Sequence, residues 1–152
     1  MLPSHREVVE VLRETSFSVE EMAPGSPSVR RRLDDVRVSV EASGGNAAIA
    51  VPDHTKPVPV EDVLDLLVLA LEGAGVEREA ITVIFATGTH EMRMEEAMRM
   101  GKWLGKLKFK VHDRRAPHEY VGTTRHGLRV EVDEDFAAAD VRVTVGIVAP
   151  HP

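Results

Sequence analysis

The stretch ITVIFATGTH, residues 81–90, contains a predicted strand and, directly after it, a predicted functional loop. Residues 81–86 form a continuous apolar run, which is typical of a strand that is buried on both faces of a parallel sheet. Thr87, Gly88, Thr89 and His90 follow directly, so polar side chains stand where the strand ends. In an open parallel sheet, the loops beyond the carboxyl ends of the strands carry the functional groups. The stretch therefore predicts an α/β fold with a site near His90.

Strand and helix patterns alternate on both sides of this stretch. The apolar run 47–51 is bounded by Pro52, and residues 60–74 place apolar side chains at helical spacing before Gly75. We further predict helices over 4–14, 94–104 and 133–139, a loop over 15–28, strands over 36–40, 107–111 and 141–148, and a hairpin from 120–124 and 128–132. This alternation predicts a Rossmann-like, mostly parallel sheet flanked by helices, with a small β-hairpin.

Composition and charge exclude several classes of protein. The 152 residues form one predicted α/β domain, and the net charge of -6 argues against a nucleic-acid partner. The chain has no cysteine, which excludes disulfides and zinc–cysteine sites. The apolar stretch 63–71 is too short to span a bilayer, and the N-terminus lacks the features of a signal peptide, so we predict a cytoplasmic protein without a membrane partner. The absence of glutamine, with abundant Arg, Glu and Val, favours a thermophilic source.

Histidines follow four of the predicted strands. They are His54, His90, His112 and His151, and Asp53 and Lys56 flank the first of them, whereas His5, His118 and His126 fall elsewhere. Because the carboxyl ends of parallel strands meet at one edge of a sheet, we expect Asp53, His90 and His151 at the same edge. A histidine can exchange a proton near neutral pH, since its unperturbed pKa is about 6.5. The pattern therefore favours a functional site at this edge.

An ordered set of short motifs over residues 46–151 resembles the lactate racemase family. VPDHTKPVP (51–59) resembles the family's Asp-x-Thr-Arg-Pro-x-Pro motif, and ITVIFATGTH (81–90) resembles its segment ending in ATGTH. VHD (111–113) resembles its NHD stretch, and YVGTT (120–124) with Gly127 resembles its YLGTTSxG motif. Residues 138–140, 144–146 and 150–151 resemble its run ending in EPH. Each motif is short, but the ordered set is specific.

The resemblance implies a 2-hydroxyacid racemase or epimerase that works by proton-coupled hydride transfer to a nickel-pincer nucleotide. In such enzymes the cofactor accepts the substrate hydride while a histidine takes the hydroxyl proton. By motif match, His90 and His151 are the two acid/base histidines. Asp53, Thr55 and Lys56 are the implied cofactor-binding residues, near a phosphate or the substrate carboxylate. The resemblance implies no metal ligand in this chain.

Two departures from the family pattern bear on activity. Lys56 stands where the family usually has arginine, which keeps the charge but loses the bidentate fork. The downstream SGGRK loop, whose lysine binds the cofactor, a nickel-ligating histidine and the C-terminal domain are not in this sequence. We therefore expect the N-terminal part of a longer two-domain enzyme, inactive and without cofactor by itself, with the missing domain as its partner. The sequence predicts neither the hydroxyacid nor whether a homo-oligomer forms.

Two other functions stay open at this point. A metal site could form from His54, His90, His112 and Asp113, because imidazole and carboxylate suit zinc or nickel. A non-catalytic domain could bind a nucleotide or a partner protein. The sequence contains no glycine-rich phosphate-binding motif that would support the second hypothesis. The glycine-rich stretch at Ser43, Gly44 and Gly45 precedes a predicted strand, whereas such a motif precedes a helix.

Overall fold

The computed structural model describes residues 45–56, 58–102, 104–105 and 107–147. The elements predicted over 4–14, 15–28 and 36–40, and the predicted site residue His151, lie outside the described residues. In chain order, the elements are β1 (Ala47–Pro52), α1 (Val60–Gly73), a 3-10 turn (Arg78–Ala80), β2 (Ile81–Ala86), α2 (Met94–Gly101), β3 (Lys108–Val111), β4 (His118–Thr123), β5 (Arg129–Asp133), α3 (Glu134–Ala138) and β6 (Val141–Thr144).

Four strands form a parallel sheet in the order β3-β2-β1-β6, and β4 and β5 form a separate antiparallel hairpin. The predicted fold class, a mostly parallel sheet with flanking helices and a small hairpin, is therefore confirmed. β1 and β2 pair in register from Ala47 opposite Ile81 to Pro52 opposite Ala86. The two central strands thus end at the same level, and the loops that follow them start side by side.

The core lies on both faces of the sheet because side chains alternate along each strand. One face carries Ile49, Val83 and Phe85, which belong to a buried cluster that also contains Leu64, Leu67 and Leu71 of α1. The other face carries Ala48 and Ile84, which pack with Ala139 and against Phe136 of α3. Helical cover on both faces explains why residues 81–86 could be apolar without interruption.

Two elements end at least three residues earlier than the sequence predicts. The helix expected over 94–104 ends at Gly101, and the N–H of Leu104 then bonds to the Gly101 carbonyl in a turn that buries Leu104. The strand expected over 141–148 ends at Thr144, and the N–H of the following residue, Val145, bonds to the carbonyl of Ala50. The next β1 residue on that side is Pro52, which has no N–H to continue the ladder.

Among the described residues, none of the helices is long and apolar enough to cross a membrane.

Candidate active site

The loop after β1 holds a buried carboxylate. The side chain of Asp53 is 3% exposed, and its Oδ1 accepts the backbone N–H of Thr55 at 2.9 Å. The hydroxyl of Thr55 donates to the same oxygen, and the N–H of Lys56 bonds to the Asp53 carbonyl at 3.2 Å. A turn in which an aspartate accepts a backbone N–H two residues later fixes the side chain relative to its own loop. One oxygen of Asp53 is therefore held within the loop, and the other is left for a partner.

That partner is His90, in the loop after β2. The Oδ2 atom of Asp53 lies 2.7 Å from Nδ1 of His90, and the Thr55 hydroxyl lies 3.4 Å from the same nitrogen. The N–H of His90 bonds to the Thr87 carbonyl at 3.0 Å, which closes the turn that presents the imidazole. The contact forms because β1 and β2 end at the same level, opposite each other.

The electrostatics of the pair determine which ring nitrogen carries the proton. Burial raises the pKa of Asp53, but hydrogen bonds from Thr55 and His90 outweigh burial, and the pKa lies below its ordinary value. An ionised carboxylate only accepts hydrogen bonds, so Nδ1 of His90 must be the donor. In the neutral imidazole the lone pair is then on Nε2. The His90 side chain is 49% exposed, so the imidazole is accessible from solvent.

The structure brings together only part of the predicted set. Asp53, Thr55 and His90 are in direct contact, whereas Lys56 and His54 are exposed side chains in the same loop as Asp53. His151 lies outside the described residues, so its expected place at this edge stays a prediction. The roles assigned to these residues from the resemblance also stay predictions.

His112 follows β3 but has other partners. Its N–H bonds to the Phe85 carbonyl, and its ring packs against the hairpin rather than His90. Within the ranges that the structure describes, no group of three or more His, Cys, Asp or Glu side chains is arranged to hold a metal ion. The structure therefore does not bring His54, His90, His112 and Asp113 together as the alternative metal site.

A second polar cluster, which we call the hairpin cluster, was not predicted. Its members join the end of β3 to the hairpin and to the start of α3; they are Lys110, His112, His118, Asp133 and Asp135. The sequence analysis left His118 outside any site. The predicted hairpin was the available signal, since antiparallel pairing places the first residue of β4 opposite the last residue of β5, and His118 does pair with Asp133.

Comparison with known proteins identifies the family. Residues 4–152 match the model of the lactate racemase N-terminal domain. The chain belongs to the lactate racemase family. This confirms the resemblance that the ordered motifs carried.

One curated relative and one solved structure give the scale of the similarity. The lactate racemase of Thermoanaerobacterium thermosaccharolyticum is 29% identical over 131 residues, which cover 83% of this chain and 30% of the relative. The structure of the lactate racemase apoprotein from the same organism aligns with a TM-score of 0.67 at 27% identity, over 81% of this chain and 32% of that one. The chain thus spans about a third of the length of these family members.

Proposed function

We propose that this domain supplies the proton-transfer groups of a 2-hydroxyacid racemase or epimerase that works by hydride transfer to a nickel-pincer nucleotide. Membership of the lactate racemase family supports the reaction class. The single observation that carries the role of this domain is the contact between Asp53 and His90 at the carboxyl edge of β1 and β2. A buried carboxylate behind an accessible imidazole is the arrangement of a general base that is held in one tautomer.

His90 takes the proton of the substrate hydroxyl at Nε2 in this proposal. The proton on Nδ1 stays in its hydrogen bond with Asp53, and the carboxylate stabilises the imidazolium that forms. When the reaction runs in the other direction, Nε2 returns the proton. Inversion of a stereocentre needs such a group for each enantiomer, and we assign the second role to His151.

We assign two roles to the loop after β1, which are positioning of the His90 imidazole and binding of an anionic group. Asp53 and the Thr55 hydroxyl are already hydrogen-bonded to each other and lie against His90, so we assign them first to holding the imidazole. Lys56 is exposed in the same loop and suits the phosphate of the nucleotide or the carboxylate of the substrate. The Lys56 ammonium is therefore the side chain of this loop that fits the phosphate of such a nucleotide. When bound, the nickel-pincer nucleotide supplies the hydride acceptor that the protein side chains lack.

The test uses the complete enzyme, loaded with its cofactor, and compares two single variants. His90→Ala should lower turnover by about 10²–10⁴-fold, the usual contribution of a general acid or base. Lys56→Ala should raise KM for the 2-hydroxyacid, or weaken cofactor retention, more than it lowers kcat. Both are measured per folded, nickel-bearing molecule, so that loss of fold or cofactor does not count as loss of catalysis.

His126→Ala is the matched control, because His126 is exposed in the hairpin turn next to Arg125. It should turn over like the wild type. Near-normal turnover of His90→Ala would overturn the assignment. The cytoplasmic location and the small 2-hydroxyacid substrate belong to the same proposal.

A further inference from the structure

The hairpin cluster contains two imidazoles that meet through their Nε2 atoms. His112 follows β3, and His118 opens β4. Their Nε2 atoms are 3.3 Å apart, the ring centroids are 4.9 Å apart, and the ring planes are inclined at 65°. Both side chains are half-buried. The pair is not part of the Asp53–His90 site, and nothing in the proposed reaction uses it.

The spacing of the two nitrogens is that of two ligands on one tetrahedral zinc ion. Zinc binds imidazole nitrogen at about 2.0–2.1 Å, and two such ligands at the tetrahedral angle are about 3.3–3.4 Å apart. The observed distance is 3.3 Å. An ion could therefore replace the present hydrogen bond without a large movement of either ring.

Asp133 contacts the other ring nitrogen of His112 and orients the imidazole for metal binding. Asp133 Oδ2 lies 3.3 Å from Nδ1 of His112, and Asp133 is itself held by Lys110 Nζ at 3.0 Å. Lys110 Nζ and the backbone N–H of Asp135 both donate to Oδ1 of Asp133, so the carboxylate acts as an acceptor and Nδ1 of His112 donates to its other oxygen. The lone pair of His112 then lies on Nε2, towards His118. Metal-ligating histidines usually donate their other N–H to a carboxylate in this way.

We propose that His112 and His118 form a two-histidine site for Zn²⁺, with Asp133 orienting His112 and water filling the remaining positions. Among the described residues, no third His, Cys, Asp or Glu completes the ligand set. The Lys110 ammonium also lies beside Asp133. Both features make the site weaker than a structural zinc site with four protein ligands. The ion would clamp the segment between β3 and β4, which the two histidines delimit.

The test is a titration of the 152-residue chain with Zn²⁺ alone, followed by competition with a chromogenic chelator. His118→Ala, which removes one of the two ligands, should weaken Zn²⁺ binding at least tenfold. Asp133→Asn should weaken it by about 10–100-fold, the usual effect of removing the carboxylate behind a ligating histidine. His126→Ala, in the same hairpin, should bind like the wild type. Circular dichroism checks that each variant is folded.

Nuclear magnetic resonance of ¹⁵N-labelled histidine locates the ion directly, because Zn²⁺ should shift the Nε2 signals of His112 and His118 together. If His118→Ala fails to fold, His118→Gln removes the imidazole while keeping a polar side chain. Equal Zn²⁺ affinity of the wild type and the folded His118 variant would overturn the proposal. So would shifts confined to other histidines, or a wild type that binds no zinc. These outcomes do not depend on the racemase proposal.

Discussion

Asp53 and His90 are 37 positions apart in the chain, yet Oδ2 of the first lies 2.7 Å from Nδ1 of the second. The contact joins the loops after β1 and β2, and both strands stop at the paired residues Pro52 and Ala86. It places an ionised, buried carboxylate behind an imidazole that is half exposed to solvent. The geometry therefore specifies the tautomer of His90, with the proton on Nδ1 and the lone pair of the neutral ring on Nε2.

Asp53→Asn should reverse that tautomer while leaving the fold in place. The two donors of Thr55 both bond to Oδ1, so they hold the amide oxygen of the asparagine there and put its NH₂ group at the Oδ2 position. That NH₂ donates to Nδ1 and moves the ring proton to Nε2. ¹⁵N chemical shifts of His90 in the 152-residue chain should report the change.

On the role proposed for His90, the same variant in the complete enzyme should lower kcat more than it raises KM, because it moves the lone pair of the imidazole away from Nε2 without removing a substrate contact. Asp135→Asn is the surface control and should leave the His90 tautomer unchanged. An unaltered Nδ1–H tautomer in Asp53→Asn would contradict the account.

Acid should destabilise the domain partly through Asp53 and Asp133. Hydrogen bonds outweigh burial at both carboxylates and lower both pKa values in the folded state. The unfolded chain, with aspartate near its ordinary pKa of about 3.9, binds protons at a higher pH than the folded chain does. Their contribution to stability is therefore complete above that pH and is lost as the pH falls through the lowered values. Urea unfolding at a series of acidic pH values measures it, and an Asp53→Asn, Asp133→Asn double variant should show a shallower loss. An equally steep loss in the double variant would mean that other carboxylates dominate.

Lys110→Ala should loosen the hairpin from the sheet. Lys110 Nζ bonds to Asp133 Oδ1 at 3.0 Å and also to Asp135, so one side chain of β3 ties down the end of β5 and the start of α3. We expect faster hydrogen exchange of the amides in β4 and β5 and a loss of unfolding free energy of about 1 kcal/mol. Lys110→Met keeps the apolar stem of the side chain and separates the effect of charge from that of packing. Unchanged exchange in both variants would show that the ion pairs do not hold the hairpin.

Phe85→Ala should be among the most destabilising single changes in the sheet. Phe85 is fully buried, and its ring packs edge-on against Phe109 with a centroid distance of 6.0 Å. Truncating a buried phenylalanine usually costs about 3–5 kcal/mol of unfolding free energy, because a cavity remains. Leu69→Ala, at an exposed position of α1, should change stability by less than about 0.5 kcal/mol. Chemical denaturation of the two variants compares them, and similar stabilities would mean that the core around Phe85 collapses to fill the space.

The central strands and the fold class could be predicted from the pattern of apolar residues alone. Residues 81–86 and 47–51 are apolar runs of strand length, and the structure places strands at Ile81–Ala86 and Ala47–Pro52. Hydrophobic periodicity is a local property, so a single sequence can show it. The early ends of α2 and β6 could not be predicted in this way. They depend on the burial of Leu104 and on the missing N–H of Pro52 opposite β6.

The sequence also determined that Asp53 and His90 would stand at the same edge of the sheet, because both follow parallel strands. The contact between the two side chains could not be predicted, since it depends on the register of β1 and β2 and on the turn that holds Asp53. The same is true of His112 and His118. One follows a strand of the sheet and the other starts a separate hairpin, and the distance between such elements is set by how they pack, which the spacing of residues along the chain does not encode.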